Sequence, residues 1–206
     1  MGLELLGNDP AHAAQRAEVA RNIEELDQLI DEILMASRLD LRDASEASAL
    51  GPTEEVDLVG LAAEECARTG AELDVVEGIS PVLVQGHPKL LRRLLRNLLE
   101  NARRYGHRPD SGGSIEPAHL CIDRRGVAVG EDTVLISVED RGPGVPAELR
   151  ERIFEPFYRL PGASESVGGV GLGLSLVRSI AVRHRGSVRC EDRAGGGARF
   201  VVELPV

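Results

Sequence analysis

His87-Pro88-Lys89-Leu90-Leu91-Arg92-Arg93-Leu94-Leu95-Arg96-Asn97-Leu98-Leu99-Glu100-Asn101-Ala102-Arg103-Arg104-Tyr105 reads as one strongly amphipathic helix. At about 100° per residue, Leu91, Leu94, Leu95, Leu98, Leu99 and Ala102 share a side that can pack on a sheet. Asn97, Glu100, Asn101 and Arg104 fall within about 100° of one another on the opposite side. Two asparagines inside a helix cost roughly 0.5 kcal/mol each relative to good helix formers. An ordinary solvated face would use Lys, Glu or Ala. Amide oxygens beside a carboxylate suit a hard cation such as Mg²⁺, which also takes phosphate oxygens. A plain polar face is the other reading of the same residues.

Outward from this helix the pattern alternates between helix and strand. Upstream, Leu58–Thr69 reads as a helix, and Leu73–Val76 and Val82–Gln85 as short strands. Downstream, Leu120–Val129 and Thr133–Glu139 can form a hairpin, Leu172–His184 is a third helix, and Gly186–Cys190 and Ala198–Leu204 flank the Gly195-Gly196-Gly197 turn signal. The expected fold class is α+β: a two-layer sandwich of a mixed, largely antiparallel sheet and three helices. The expected domain runs over residues 56–206, with a linker rich in Ala, Ser and Glu over 43–55. Residues 12–39 read as a long helix with Ile23, Leu26, Ile30 and Ile33 in heptad spacing. Asn8-Asp9-Pro10 before it is a turn signal. Residues 1–42 are therefore expected to be part of a helical hairpin making a bundle or dimer contact; a helix packed on its own domain is the alternative.

The chain has 206 residues and a net charge of −10, with a pI of about 5.1. No nucleic-acid partner is expected, because such a partner needs a basic face. One phosphate-bearing ligand is not excluded, since backbone N–H groups and a few arginines can hold it. Cys66, Cys121 and Cys190 are far apart and odd in number, so reduced thiols are expected rather than a disulfide framework or metal site. No apolar run reaches the length of a membrane span, and the N-terminus lacks the features of a signal peptide. The expected location of this chain is the cytoplasm.

Three more segments carry chemistry. Val138-Glu139-Asp140-Arg141-Gly142-Pro143-Gly144 is a strand ending at an acid followed by two spaced glycines. The acid can accept a hydrogen bond from an exocyclic amine, and glycines without Cβ let backbone lie against a flat ring. Ile153-Phe154-Glu155-Pro156-Phe157-Tyr158-Arg159 holds three of the five Phe and Tyr residues of the chain. It suggests an anchored mobile loop, or a small hydrophobic cluster under one. Gly168-Gly169-Val170-Gly171-Leu172-Gly173 opens a helix, whose free N–H groups and positive dipole end can hold phosphates. Neither the dinucleotide G-x-G-x-x-G pattern nor a phosphate loop ending in Lys-Ser/Thr is met; the only lysine is Lys89.

Taken in order, Asn…Glu-Asn, Asp-x-Gly-x-Gly, an aromatic loop and Gly-x-Gly-x-Gly resemble the N, G1, F and G2 boxes of the sensor histidine kinases of two-component systems. Those kinases belong to the wider Bergerat-fold ATPases. The resemblance spans Val56 to Val206. It implies ATP and Mg²⁺ as ligands, transfer of the γ-phosphate to a histidine, and relay to a response-regulator aspartate. Asn101 would coordinate the metal, with Asn97 beside it, and Glu100 would polarise the attacking histidine. Arg104 would face phosphate and Tyr105 would stack on adenine. Asp140 would bind the adenine N6 group, and Gly142 and Gly144 would shape the base pocket. A lid would run over residues 145–170, with Gly169, Gly171, Leu172 and Gly173 at the triphosphate.

The resemblance also implies homodimerisation through the hairpin and a parent protein in the bacterial inner membrane. One departure stands out. The five histidines, His12, His87, His107, His119 and His184, all lack the family's acceptor box, so the acceptor is expected upstream of Met1. A non-catalytic nucleotide-binding module and an anti-sigma-type serine kinase on the same fold remain alternatives at this level.

Overall fold

The computed structural model describes residues 52–76, 81–106, 116–126, 132–161 and 170–206. The expected helical hairpin lies outside the described residues. Strand β1 (Glu54–Asp57) leads into helix α1 (Leu58–Thr69), then β2 (Glu72–Val75), β3 (Leu83–Gly86) and α2 (Pro88–Tyr105). Strands β4 (His119–Gly126) and β5 (Asp132–Glu139) follow. Two single 3-10 turns (Ala147–Leu149 and Arg152–Phe154) lead to α3 (Gly173–Arg183), β6 (Ser187–Asp192) and β7 (Ala198–Pro205). Each helix and strand expected from the described sequence is present, with ends shifted by a few residues. Strand β1 is an addition: it takes Glu54 and Glu55, residues expected in the linker.

The main sheet has the order β2-β4-β5-β7-β6. Strands β2 and β4 run parallel, and every other pair is antiparallel. Strand β3 does not join this sheet; it pairs antiparallel with β1. Alternation puts Leu120, Ile122, Val134, Ile136, Val138, Phe200, Val202 and Leu204 into one core with the apolar faces of the helices. All six residues expected on the core side of α2 are buried there. Each fully buried leucine contributes about 1.5–3 kcal/mol of burial free energy, gross of the entropy of ordering it. On its other face the sheet is laced by ion pairs, among them Arg189 to Glu203 and to Glu191, and Arg199 and Arg193 to Glu139. Leu135 and Val201 are buried on this face, beside Arg189 and Arg199.

The helices begin and end for local reasons. Asp57 caps α1 by accepting the Val59 N–H at 3.0 Å, and Gly70, at φ +73°, closes it with an N–H bonded to the Cys66 carbonyl. Pro88 stands at the start of α2, where its missing N–H costs nothing.

The far ends of α2 and α3 are tied by histidine. His184 at the end of α3 accepts the His87 backbone N–H on Nε2 at 3.0 Å. Its Nδ1 lies 2.8 Å from the Ile180 carbonyl, which only accepts, so the proton sits on Nδ1. A proton added at Nε2 would remove that acceptor. Burial pushes the His184 pKa down; the Ile180 carbonyl opposes this, while His87 and Arg183 add to it. The His87 imidazole is lowered in the same way, by burial first and then by Arg183.

A neutral buried histidine binds fewer protons than its unfolded counterpart. Stability is therefore full above the unfolded pKa of about 6.5 and falls as the pH drops below it. Urea unfolding at pH 7 and pH 5 will show a lower midpoint at pH 5, and His184→Gln will lose part of that difference. An equal pH dependence in the variant would remove His184 as a source.

Candidate functional site

The first and second motifs meet at the C-terminal end of α2. Asp140 follows β5 and is buried, with 5% of its surface exposed. Its Oδ1 accepts the backbone N–H of Gly142 at 2.9 Å and that of Ala198 at 3.2 Å. Both bonds go to one oxygen, and among the described residues Oδ2 has no hydrogen-bond partner. Burial pushes the Asp140 carboxyl up, while the two N–H groups and Arg193 pull it partly back. Gly142 lies so close to Tyr105 that a Cβ there would stand 2.2 Å from the Tyr105 carbonyl oxygen. The pocket wall made by Gly142 is thus a backbone-on-backbone contact that only glycine allows.

The fourth motif meets α2 at Asn97, and the third meets the fourth at Gly171. Asn97, 5% exposed, donates from Nδ2 to the Gly173 carbonyl at 3.2 Å. The plain polar-face reading fails at this position, because the side chain is spent on joining α2 to the first residue of α3. Helix α3 begins with no side-chain cap and no acidic residue in its first turn. Its opening N–H groups and dipole end therefore remain available to an anion. Gly171 at φ +80° accepts the Phe157 N–H on its carbonyl at 3.0 Å. Gly171 thus joins the aromatic segment to the glycine turn, and Leu172 beside it is buried. Gly169 lies outside the described residues.

The aromatic segment is less free than a lid over residues 145–170 implies. Ile153 and Phe154 are buried in the core, and Phe154 meets Phe200 edge to face at 6.5 Å. Arg150 bonds the Val145 carbonyl and Asp192, pinning the entry. Arg152 lies over the Tyr158 ring at 4.6 Å. Only Phe157 is turned out, 66% exposed and at φ +65°.

The remaining expected residues divide. Asn101 is half-buried, and Arg104 is exposed. Neither makes a hydrogen bond or ion pair among the described residues, so both are available to a ligand. No group of three or more His, Cys, Asp or Glu that could hold a metal occurs among the described residues. A magnesium ion fits this donor set, because it takes one or two protein oxygens and completes its shell with phosphate and water. Glu100 is turned away, toward α1, where Arg68 reaches it at 3.3 Å. The three cysteines are free, and burial pushes Cys66 up to about 11 and Cys190 up to about 12.

By sequence alone Gly197 and Ala198 are only hairpin residues. Their backbone buttresses the acid: Asp140 and Ala198 exchange backbone and side-chain bonds, and a Cβ on Gly197, at φ +109°, would stand 1.9 Å from the Asp140 carbonyl oxygen. The three successive glycines were the available signal, since a hairpin turn alone does not need so many.

This arrangement matches a known family. Residues 86–206 match the model of the histidine kinase-, DNA gyrase B-, and HSP90-like ATPases. The chain belongs to this family. As a member, it carries an ATP-binding domain. It is 33% identical over 208 residues to the sensor histidine kinase CpxA of Escherichia coli (strain K12), covering 100% of this chain and 43% of that protein. It is 37% identical over 212 residues to the sensor protein RstB of the same organism, covering 97% and 43%. The chain thus spans less than half the length of these relatives. Among solved structures it resembles a mycobacterial sensor histidine kinase, MprB, with a TM-score of 0.56 and 25% identity, covering 74% of this chain and 97% of that one. The α+β fold is that of histidine kinase catalytic domains, the Bergerat fold.

Gly197→Ala in this ATPase domain will cost about 1–3 kcal/mol through its positive φ and its contact with Asp140. Hydrogen exchange at the Gly142 and Ala198 amides, both bonded to Asp140, will speed up with it. Unchanged protection at both amides would show that Gly197 does not support the acid.

Proposed function

We propose that this chain is the ATP-binding catalytic part of a sensor histidine kinase, which transfers the γ-phosphate of Mg·ATP to a histidine for relay to a response regulator. The observation that carries the reading is the buried Asp140 carboxylate, with one oxygen spent on backbone and the other left over, together with the uncapped start of α3 bonded to Asn97 of α2. The sensor histidine kinases among the relatives above support it. Dimerisation through the hairpin of residues 1–42, and a parent protein anchored in the inner membrane, complete the proposal.

In this reading Oδ2 of Asp140 accepts from the adenine amine, Gly142 and Gly144 let backbone border the base, and Tyr105 stacks on it. The opening turn of α3, with Gly171, Leu172 and Gly173, donates N–H groups to the phosphates. Arg104 adds a positive charge that no described residue competes for. Asn101 holds the magnesium ion, which when bound spreads the phosphate charge. Phosphoryl transfer is mostly positioning and charge neutralisation, so a site built from backbone amides, one amide ligand and one guanidinium is chemically sufficient.

Asp140→Asn will weaken ATP binding by about 1–3 kcal/mol, because the amide offers a donor toward the exocyclic amine in at least one orientation and loses charge in both. GTP, with an oxygen at the matching position, will bind the unaltered chain much more weakly than ATP. Calorimetry with both nucleotides checks this; equal affinities would remove Asp140 from the base pocket. Asn101→Ala will weaken Mg·ATP while leaving adenosine affinity nearly intact, and a parallel loss of adenosine binding would place Asn101 outside the metal–phosphate region.

A further inference from the structure

The most heavily paired group among the described residues is one that the nucleotide site does not use. Glu65 on α1 has a side chain 2% exposed. Its Oε1 takes Arg96 Nη2 at 2.9 Å and Arg92 Nη1 at 3.3 Å, and its Oε2 takes Arg96 Nε at 3.1 Å and Arg68 Nε at 3.1 Å. A buried carboxylate is expensive unless its lone pairs are filled, and here both oxygens are filled by guanidinium groups. Arg68 then extends its Nη2 to Glu100 Oε1 at 3.3 Å. Glu100 precedes Asn101 on α2.

We infer that Glu100 is a positioning residue, the outer end of an ion-pair chain anchored on Glu65, and that Arg68 fixes through it the roll of α2 that presents Asn101. The inference rests on the nucleotide site proposed above. Helix α2 is held on one flank by Asn97 bonded to Gly173 and on the other by Arg92, Arg96 and Glu100 bonded to α1. Asn101 follows Glu100 directly and lies about 40° around the helix from Asn97, so any roll of α2 carries it along. A side-chain oxygen about 5–6 Å from a helix axis moves about 2 Å when the helix rolls by about 20°. That is as long as a metal–oxygen bond to Mg²⁺, about 2.1 Å. Adenine recognition is built on Asp140 and does not depend on that roll.

The test uses the outer end of the chain, since both Arg68 and Glu100 are partly exposed, and without Arg68 the Glu65 carboxylate keeps three bonds from Arg92 and Arg96. The intact 206-residue chain is titrated with the magnesium complex of a β,γ-imido ATP analogue and, separately, with adenosine; thermal unfolding checks that each variant folds. Arg68→Gln and Glu100→Gln will each weaken the magnesium complex about 3- to 10-fold, as expected for a partly exposed pair. The double variant will lose no more than either alone, Arg68→Lys will retain affinity to within about 2-fold, and adenosine binding will not move. A loss of more than about 50-fold in Glu100→Gln with none in Arg68→Gln would overturn the inference by making Glu100 a direct ligand. Unchanged affinities in both variants, or additive losses, would overturn it as well. Failure of the unaltered chain to bind either ligand would instead defeat the nucleotide-site reading, and is seen without any variant.

Discussion

Burial of the leucine face of α2 against the sheet is the constraint on which the rest depends. Leu91, Leu94, Leu95, Leu98 and Leu99 are each almost wholly withdrawn from water, so rotation of the helix is confined to a narrow range, within which the polar contacts on its flanks hold it. That rotation sets where Asn97, Asn101 and Arg104 emerge. It also brings the Tyr105 carbonyl to the turn after Asp140, where only a glycine fits. The polar rim of the site is thus the reverse side of the hydrophobic core rather than a separate construction.

Hydrogen bonding then converts proximity into a defined geometry. Asp140 is spent half on structure and half on the rim: Oδ1 organises its own turn and the start of β7, which leaves Oδ2 aimed by backbone rather than by a flexible stem. Asn97 does the equivalent job for α3, and His184 ties the opposite ends of the same two helices. A site held by backbone contacts tolerates few side chains, which explains the glycines at 142, 171 and 197 better than loop flexibility does.

Charge follows the same division. The chain is acidic overall, yet α2 is rich in arginine, and Glu65 on α1 gathers three guanidinium groups. Burial alone would push the Glu65 carboxyl up; Arg96, Arg68 and Arg92 outweigh that and hold it at about 2. These charges are consumed internally. Arg104, just beyond them, has no such partner among the described residues and keeps its charge for whatever approaches the rim.

By itself the sequence determined the order of the described helices and most of the strands, the core face of α2, and the motifs whose succession marks the family. Those features follow from local periodicity and from residue types that have few other uses, such as amides within a helix or glycines in series. Tertiary structure decided what depends on partners distant along the chain. It turned Asn97 inward to Gly173, sent Glu100 to Arg68, anchored Phe154 on Phe200 beneath an expected lid, and paired β3 with β1 outside the main sheet. A helical wheel places a side chain on a face, but which neighbour occupies that face is set by how the layers pack.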